Sequence, residues 1–275
     1  MKKSKRREIA RDTLEILKKG YYIDQDNKQI NISGAQAYSE ANTILYKPEM
    51  LEDLINTLPL NSSEQKTEFE VNNLTTLDSV RKEFTNHEKV VCLNFASARN
   101  PGGGFLNGSQ AQEESIARAT GLYPCQLKAE GYYIANRNIR TCIYTDHMIY
   151  SPKVLVLKDE DGDLLDKLVY TSIITAPAVN TGVVLRNEPD NIDQIKPRMK
   201  KRIDMVLAIC KKHGYDVLVL GAWGCGVFRN DPEEIAQMFS EFFNGKYKNQ
   251  FKRVVFSIYS RNEKFIKPFQ EKFSF

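Results

Sequence analysis

Two adjacent carboxylates, Glu113 and Glu114, follow the run Gly102-Gly103-Gly104 closely enough in the chain to act on one ligand. Three consecutive glycines carry no Cβ and tolerate positive φ, so their backbone N–H groups can approach an anion. An acid pair beside such a turn suits a phosphate-bearing sugar: the turn would hold phosphate while an acid exchanges a proton at the sugar. Ser109 and Gln112 have capping-box spacing, which predicts a helix start there and both acids in its first turn. The helix dipole favours negative charge at that place, so the pair is also satisfied by a purely structural role. A general acid must hold a proton, and burial, a neighbouring carboxylate and ligand phosphates all push in that direction.

A second candidate lies more than a hundred residues on, in Gly221-Ala222-Trp223-Gly224-Cys225-Gly226-Val227-Phe228. It follows the apolar strand Asp216 to Leu220 and precedes Pro232, which suits the first turn of a helix. Strand, glycine loop and helix together present backbone N–H groups to a diphosphate. No Lys-Ser or Lys-Thr follows the glycines, so this is not a Walker A loop, nor does it match the dinucleotide fingerprint. Phe228 would either stack on a sugar or pack in the core.

Both loops need strands to position them, and the apolar periodicity supplies these. Val90 to Phe95 reads as a strand buried on both faces, and Val154 to Leu157 and Leu168 to Thr175 flank the turn Asp159-Glu160-Asp161-Gly162. Helical spacing marks Ser4 to Lys19, with Ile9, Thr13, Ile16 and Leu17 on one face and Gly20 as its stop. Further helices are expected over Ile195 to His213, around Ile235 to Phe242, and through Phe265, Phe269 and Phe273. Short strands are expected at Gln29 to Ile32 and Val254 to Ile258, and a short helix followed by a polar connection between Pro48 and Thr67. The cluster Asn61-Ser62-Ser63 is the nearest thing to a linker and is too short to divide the chain. Strand and helix alternate, which indicates a mostly parallel sheet covered on both sides, with ligands at the carboxyl ends of its strands.

Composition sets the outer bounds. With 275 residues and a net charge of +4, the chain is large enough for a core without staples and too mildly charged to announce a nucleic-acid protein. Five scattered cysteines and three histidines give no zinc-ligand spacing and read as apolar residues in a reducing compartment. The basic start Lys2-Lys3-Ser4-Lys5-Arg6-Arg7 is followed by no apolar signal segment and reads as solubilising a helix. No apolar run is long enough to span a bilayer, so a cytoplasmic protein is expected.

Asn100-Pro101-Gly102-Gly103-Gly104, seven further residues and Gln112-Glu113-Glu114 resemble the signature of the microbial-type poly(ADP-ribose) glycohydrolases. Gly221 to Phe228, Arg7 to Leu14 and Ala176 to Asn180 resemble other landmarks of that family. The resemblance implies a three-layer α/β/α macrodomain-like sandwich with a mixed, mostly parallel central sheet. It implies one catalytic domain over 1–275, with 1–65 as an N-terminal extension packed on it. Carried over, it assigns Glu114 as the catalytic acid/base and Glu113 as its positioner, with Gln112 beside them. Asn100, Gly102, Gly103 and Gly104 would line the ribose and diphosphate side, and Gly224, Cys225, Gly226, Val227 and Phe228 would hold the diphosphate from across the cleft. The implied substrate is poly(ADP-ribose) or an ADP-ribosylated macromolecule, the implied product ADP-ribose, with no metal or cofactor. Relatives of this fold also include hydrolases of single ADP-ribose groups and non-catalytic ADP-ribose binders.

Overall fold

The computed structural model describes residues 1–60, 64–87 and 89–274, so the linker-like Asn61-Ser62-Ser63 lies outside the described residues. Helix α1 (Lys3–Lys19) leads into strands β1 (Tyr21–Ile23) and β2 (Gln29–Asn31), helix α2 (Ser33–Ala41), strand β3 (Ile44–Tyr46) and helix α3 (Pro48–Thr57). There follow β4 (Glu68–Asn72), α4 (Thr76–Phe84), β5 (Val90–Ala96), α5 (Gln112–Ala119), α6 (Leu122–Lys128) and α7 (Gly131–Arg137). The chain continues through β6 (Met148–Lys158), β7 (Leu164–Pro177), α8 (Thr181–Asn187) and α9 (Ile195–Lys212). It closes with β8 (Val217–Leu220), α10 (Pro232–Asn244), β9 (Arg253–Ser257) and α11 (Lys267–Phe273).

Seven strands form one sheet in the order β3-β6-β7-β5-β8-β9-β4. Pairs from β7 through β4 are parallel, whereas β3–β6 and β6–β7 are antiparallel. Alternate residues of the buried strands enter two separate cores, which is how a double-faced sheet uses a period of two. Val90 and Cys92 of β5 and Val217 and Val219 of β8 pack with α4, α5 and α6 residues such as Leu77, Ile116 and Leu122. Val91, Leu93, Leu218 and Leu220 face the other way, onto α3, α9, α10 and α11 through Leu51, Ile203, Phe239 and Phe269. This is the three-layer, mostly parallel arrangement expected from the alternation of patterns.

Among the described residues before 65, α1 and β3 are packed into these layers. Strand β3 forms an edge of the central sheet against β6. Helix α1 ends at Gly20, whose φ of 76° and N–H bond to the Ile16 carbonyl (2.9 Å) close the last turn. Its Ala10 packs with Phe105 and Ala117, beside the acid pair's helix, and its buried Thr13 hydroxyl donates to the Arg118 carbonyl at 2.5 Å.

Two expectations are corrected, and one strand is added. The strands expected at Val154 to Leu157 and Leu168 to Thr175 are the middles of a longer antiparallel hairpin, β6 and β7. The apolar runs are interrupted by Ser151-Pro152-Lys153, where the register shifts at a bulge, and by Asp166-Lys167, while the pairing continues beyond both. Strand β4 escaped notice because its Glu68-Phe69-Glu70 looks solvated; Glu70 instead takes Lys82 at 2.7 Å and also pairs with Arg253. Helix α5 starts without a capping box: its N-cap is Ala111, with no side-chain cap. Gln112 cannot reach back to Ser109 because its amide is committed to the sheet.

Candidate active site

Strands β5 and β8 are parallel neighbours, so the two glycine-bearing loops leave adjacent carboxyl ends of the sheet. Their pairing stops at Cys92 opposite Val219. Beyond that point the Leu93 carbonyl and Phe95 N–H face a gap. Gln112 fills it: its Nε2 donates to the Leu93 carbonyl at 2.7 Å and to Thr76 Oγ1 at 3.0 Å, while its Oε1 accepts from Phe95 N–H at 2.8 Å. A side-chain amide thus stands in for a missing strand, and the start of α5 is tied to the sheet where the strands part. The resulting cleft measures about 580 Å³.

Glu113 and Glu114 occupy the first turn of α5, as their spacing predicts, and both line the cleft. Their surroundings differ. Glu113 is buried and its carboxylate accepts from Ser97 N–H (2.7 Å), Gln126 Nε2 (3.1 Å) and Asn94 Nδ2 (3.2 Å). Burial nevertheless dominates and pushes its pKa up to about 8, against the pull of those three donors and with a further push from the neighbouring Glu114. Glu114 is half-buried, and its Oε1 accepts from Gly104 N–H at 2.9 Å. It is therefore held by a single backbone donor at the edge of the open cleft.

The first glycine run does something other than the anion cradle expected of it. Gly103 N–H donates to the Asn100 carbonyl at 3.0 Å, closing a turn, and Gly104 N–H is taken by Glu114. Gly103 and Gly104, half-buried, stand directly against the Glu114 carboxylate. Glycine is required there because Gly102 and Gly103 have φ of 65° and 59°, and a Cβ on Gly103 would press against the Glu114 carboxylate, 3.0 Å from its Cδ. We expect Gly103→Ala to lower kcat about 10–100-fold by displacing that carboxylate. Steady-state kinetics beside an ADP-ribose titration would check this, binding being largely kept.

The second loop has more free donors than the first, where Gly103 and Gly104 N–H are engaged. Gly224, Cys225, Gly226, Val227 and Phe228 all line the cleft opposite α5. Cys225 N–H turns inward to the Ala222 carbonyl at 3.1 Å, but the N–H groups of Gly224, Gly226, Val227 and Phe228 have no partner among the described residues. Gly226 has open space around it, and Val227 is 78% exposed, so nothing covers this run of amides. Such a concave row of free N–H groups is an anion nest. Phe228 is half-buried against Tyr144, ring centroids 6.1 Å apart, and turns partly into the cleft.

Several supporting residues escaped the sequence. Asn94, buried in the otherwise apolar β5, bridges Glu113 and Thr175 Oγ1; its polarity within that run is the one visible hint. Asn230 buttresses the second loop, its Nδ2 donating to the carbonyls of Val179 (2.8 Å) and Gly224 (3.2 Å) and its Oδ1 accepting from Thr181 (2.9 Å). The fully buried Arg202 pairs with Asp146 at 2.8 Å and donates to the carbonyls of Pro177, Ile143, Tyr144 and Thr145, which secures the segment carrying Tyr144. No spacing rule marks either residue. The cleft is also lined by Ser257 to Ser260 and Phe265, from the end of β9 onward, and by Gln110, Ser115 and Glu160.

Comparison with known proteins agrees with this architecture. The family model for the microbial-type PARG (poly(ADP-ribose) glycohydrolase) catalytic domain matches residues 10–159. The crystal structure of the glycohydrolase from Thermomonospora curvata superimposes with a TM-score of 0.93 at 37% identity, covering 98% of this chain and 99% of that one. A structure of that enzyme bound to the inhibitor ADP-HPD gives 0.90 at 36% identity, with coverage of 98% and 99%. The glycohydrolase from Deinococcus radiodurans in complex with ADP-ribose gives 0.84 at 39% identity, covering 88% of this chain and 98% of that one. No match is found among curated protein sequences. With its seven-stranded mixed sheet, its acid pair on α5 and this likeness along nearly its whole length, the chain belongs to the microbial-type poly(ADP-ribose) glycohydrolase family.

Proposed function

We propose that the chain hydrolyses ribose–ribose O-glycosidic bonds of poly(ADP-ribose), with Glu114 as general acid and then general base. The observation that carries this reading is one cleft lined both by Glu114 and by Gly224, Gly226, Val227 and Phe228, whose four N–H groups have no partner among the described residues. A diphosphate seated on those amides directs its attached ribose towards α5. Glu114 protonates the departing ribose oxygen, the C1–O bond breaks, and C1 gains oxocarbenium character. The diphosphate's negative charge helps to stabilise that cation. Glu114, now ionised, takes a proton from the water that attacks C1, which releases ADP-ribose and regenerates the acid.

This differs from the usual glycosidase scheme of two carboxylates on opposite faces of the sugar. Glu113 adjoins Glu114 on one helix turn, is held by three donors, and positions the ribose and its partner acid. Gln112 fixes the start of α5, and Gly102 to Gly104 hold Glu114 in place beside the ribose. The surface from Ser257 to Ser260 with Phe265 is where the adenosine end of the same unit would lie. Residues 1–275 form a single catalytic unit on this reading, since β3 belongs to the central sheet and α1 packs beside α5. A cytoplasmic location is supported by five free cysteines, four of them buried. Among the described residues no helix is long and apolar enough to cross a membrane.

The direct test is a substrate panel. The native protein should release ADP-ribose from long poly(ADP-ribose) faster than from a protein carrying single ADP-ribose groups. Binding of ADP-ribose with no release from polymer would reject the reading.

A further inference from the structure

We propose that the cationic start of α1 extends the cleft as a docking surface for the polyanion on the leaving side of the bond. The proposal rests on the polymer-cleaving function above. Glu114 gives its proton to the leaving oxygen, so the departing sugar lies on the acid's side of the cleft, away from the loop Gly224 to Phe228. Gln110 and Ser115, joined at 3.2 Å beside the acid at the start of α5, line the cleft there. No Lys or Arg lines it among the described residues. The departing unit carries a diphosphate of its own, which must find cations beyond the rim.

Arg118 lies closest to this rim, but its guanidinium is buried and already donates to Ser109, Gln110 and Ser115, so the next cations along this edge are those placed by Gly108. It stands two residues from Gln110, at most about 7 Å of extended chain. Its carbonyl accepts from Arg6 Nε at 2.8 Å. A Cβ at Gly108 would lie 2.5 Å from the Lys3 carbonyl and 2.8 Å from Arg7 Cγ, so Lys3 and Arg7 press against the same loop that forms the cleft edge. Lys2, Lys3 and Arg7 are exposed and have no acidic partner among the described residues.

Charge at this place does not serve stability. The first turn of α1 has no acidic residue, and the one ion pair near it joins Lys5 to Glu8 at 3.6 Å. Cations at the positive end of a helix dipole are unfavourable. An external anion supplies the missing counter-charge, and a polymer already threaded past Glu114 brings it within reach. The basic start, which reads in the sequence as solubilising a helix, thereby gains a specific partner.

The test uses the full chain carrying K3E/R7E, with K18E/K19E at the other end of the same helix as an equal change of net charge. On long poly(ADP-ribose) at low salt the K3E/R7E protein should show KM raised about tenfold, and the rise should fall below about twofold near 0.5 M salt as screening shortens the reach of the charges. K3Q/R7Q should give a smaller rise in the same direction. Affinity for free ADP-ribose should match the native protein's in all variants, which also certifies folding. An unchanged polymer KM in K3E/R7E, or an equal rise in K18E/K19E, would overturn the proposal. So would single-stranded DNA competing as strongly as unlabelled polymer, which would mark a general nucleic-acid surface. A native protein that releases no ADP-ribose from polymer would instead remove the functional reading on which this one rests.

Discussion

Glu114→Gln is expected to cut release of ADP-ribose from polymer about 10²–10⁴-fold while leaving ADP-ribose binding intact. The substitution is nearly isosteric. Its amide oxygen can still accept from Gly104 N–H, the one bond that seats the carboxylate, so α5 and the glycine turn have no reason to move. What disappears is a proton to give and a base to take one back. The loss should fall on kcat, because the diphosphate is gripped by the opposite loop and the binding energy lies there. Polymer release measured beside calorimetric titration with ADP-ribose separates the two quantities. Undiminished turnover in the variant would remove Glu114 from the mechanism.

Glu113→Gln should be nearly as damaging, for a different reason. Three donors converge on this buried carboxylate, from Ser97, Asn94 and Gln126. An amide offers them one oxygen and turns an N–H₂ group towards the rest, leaving at least one buried donor unpaired at about 1–3 kcal/mol. The start of α5 then shifts and carries Glu114 with it, so kcat should fall about a hundredfold.

The same residue gives a pH signature. Its folded pKa stands at about 8 against an ordinary 4.5, because burial disfavours the charged form. A raised carboxyl pKa means that the folded protein holds the proton more tightly than the unfolded chain. The associated stability is fully present below pH 4.5, declines as pH rises, and is gone above pH 8. A shift of that size corresponds to about 4–5 kcal/mol. Denaturant unfolding of the native protein between pH 5 and 9 should show the decline, and Glu113→Gln should lack that component. Parallel curves for the two proteins would show that Glu113 is ionised throughout.

Much of the site was legible because its parts are local. Glu113 and Glu114 fall in the first turn of a helix that their spacing announces, and Gly103 is glycine because a side chain there would strike the acid ten or so residues on. The second loop is readable for the same reason, since strand, glycines and Pro232 define it within one short stretch. What misled was inferring use from type. A glycine run looks like an anion cradle, yet here two of its three amides are already engaged, and most of the free ones belong to Gly224, Gly226, Val227 and Phe228. Likewise Ser109 and Gln112 have the spacing of a cap, but Gln112 is drawn to Leu93 and Phe95, where β8 stops pairing with β5.

By itself, then, the order of residues determined the alternation of strands and helices, the layered class of the fold, and both chain segments from which the cleft is made. Those properties depend on short-range periodicity and on backbone freedom at single positions. Only the tertiary structure decided that β5 and β8 lie side by side, that Asn94 and Gln126 share one buried carboxylate, and that Asn230 and Arg202 brace loops far from them in the chain. Hydrogen bonds between such distant residues follow from strand order and from the gap where two strands diverge, and neither leaves a periodic trace in the sequence.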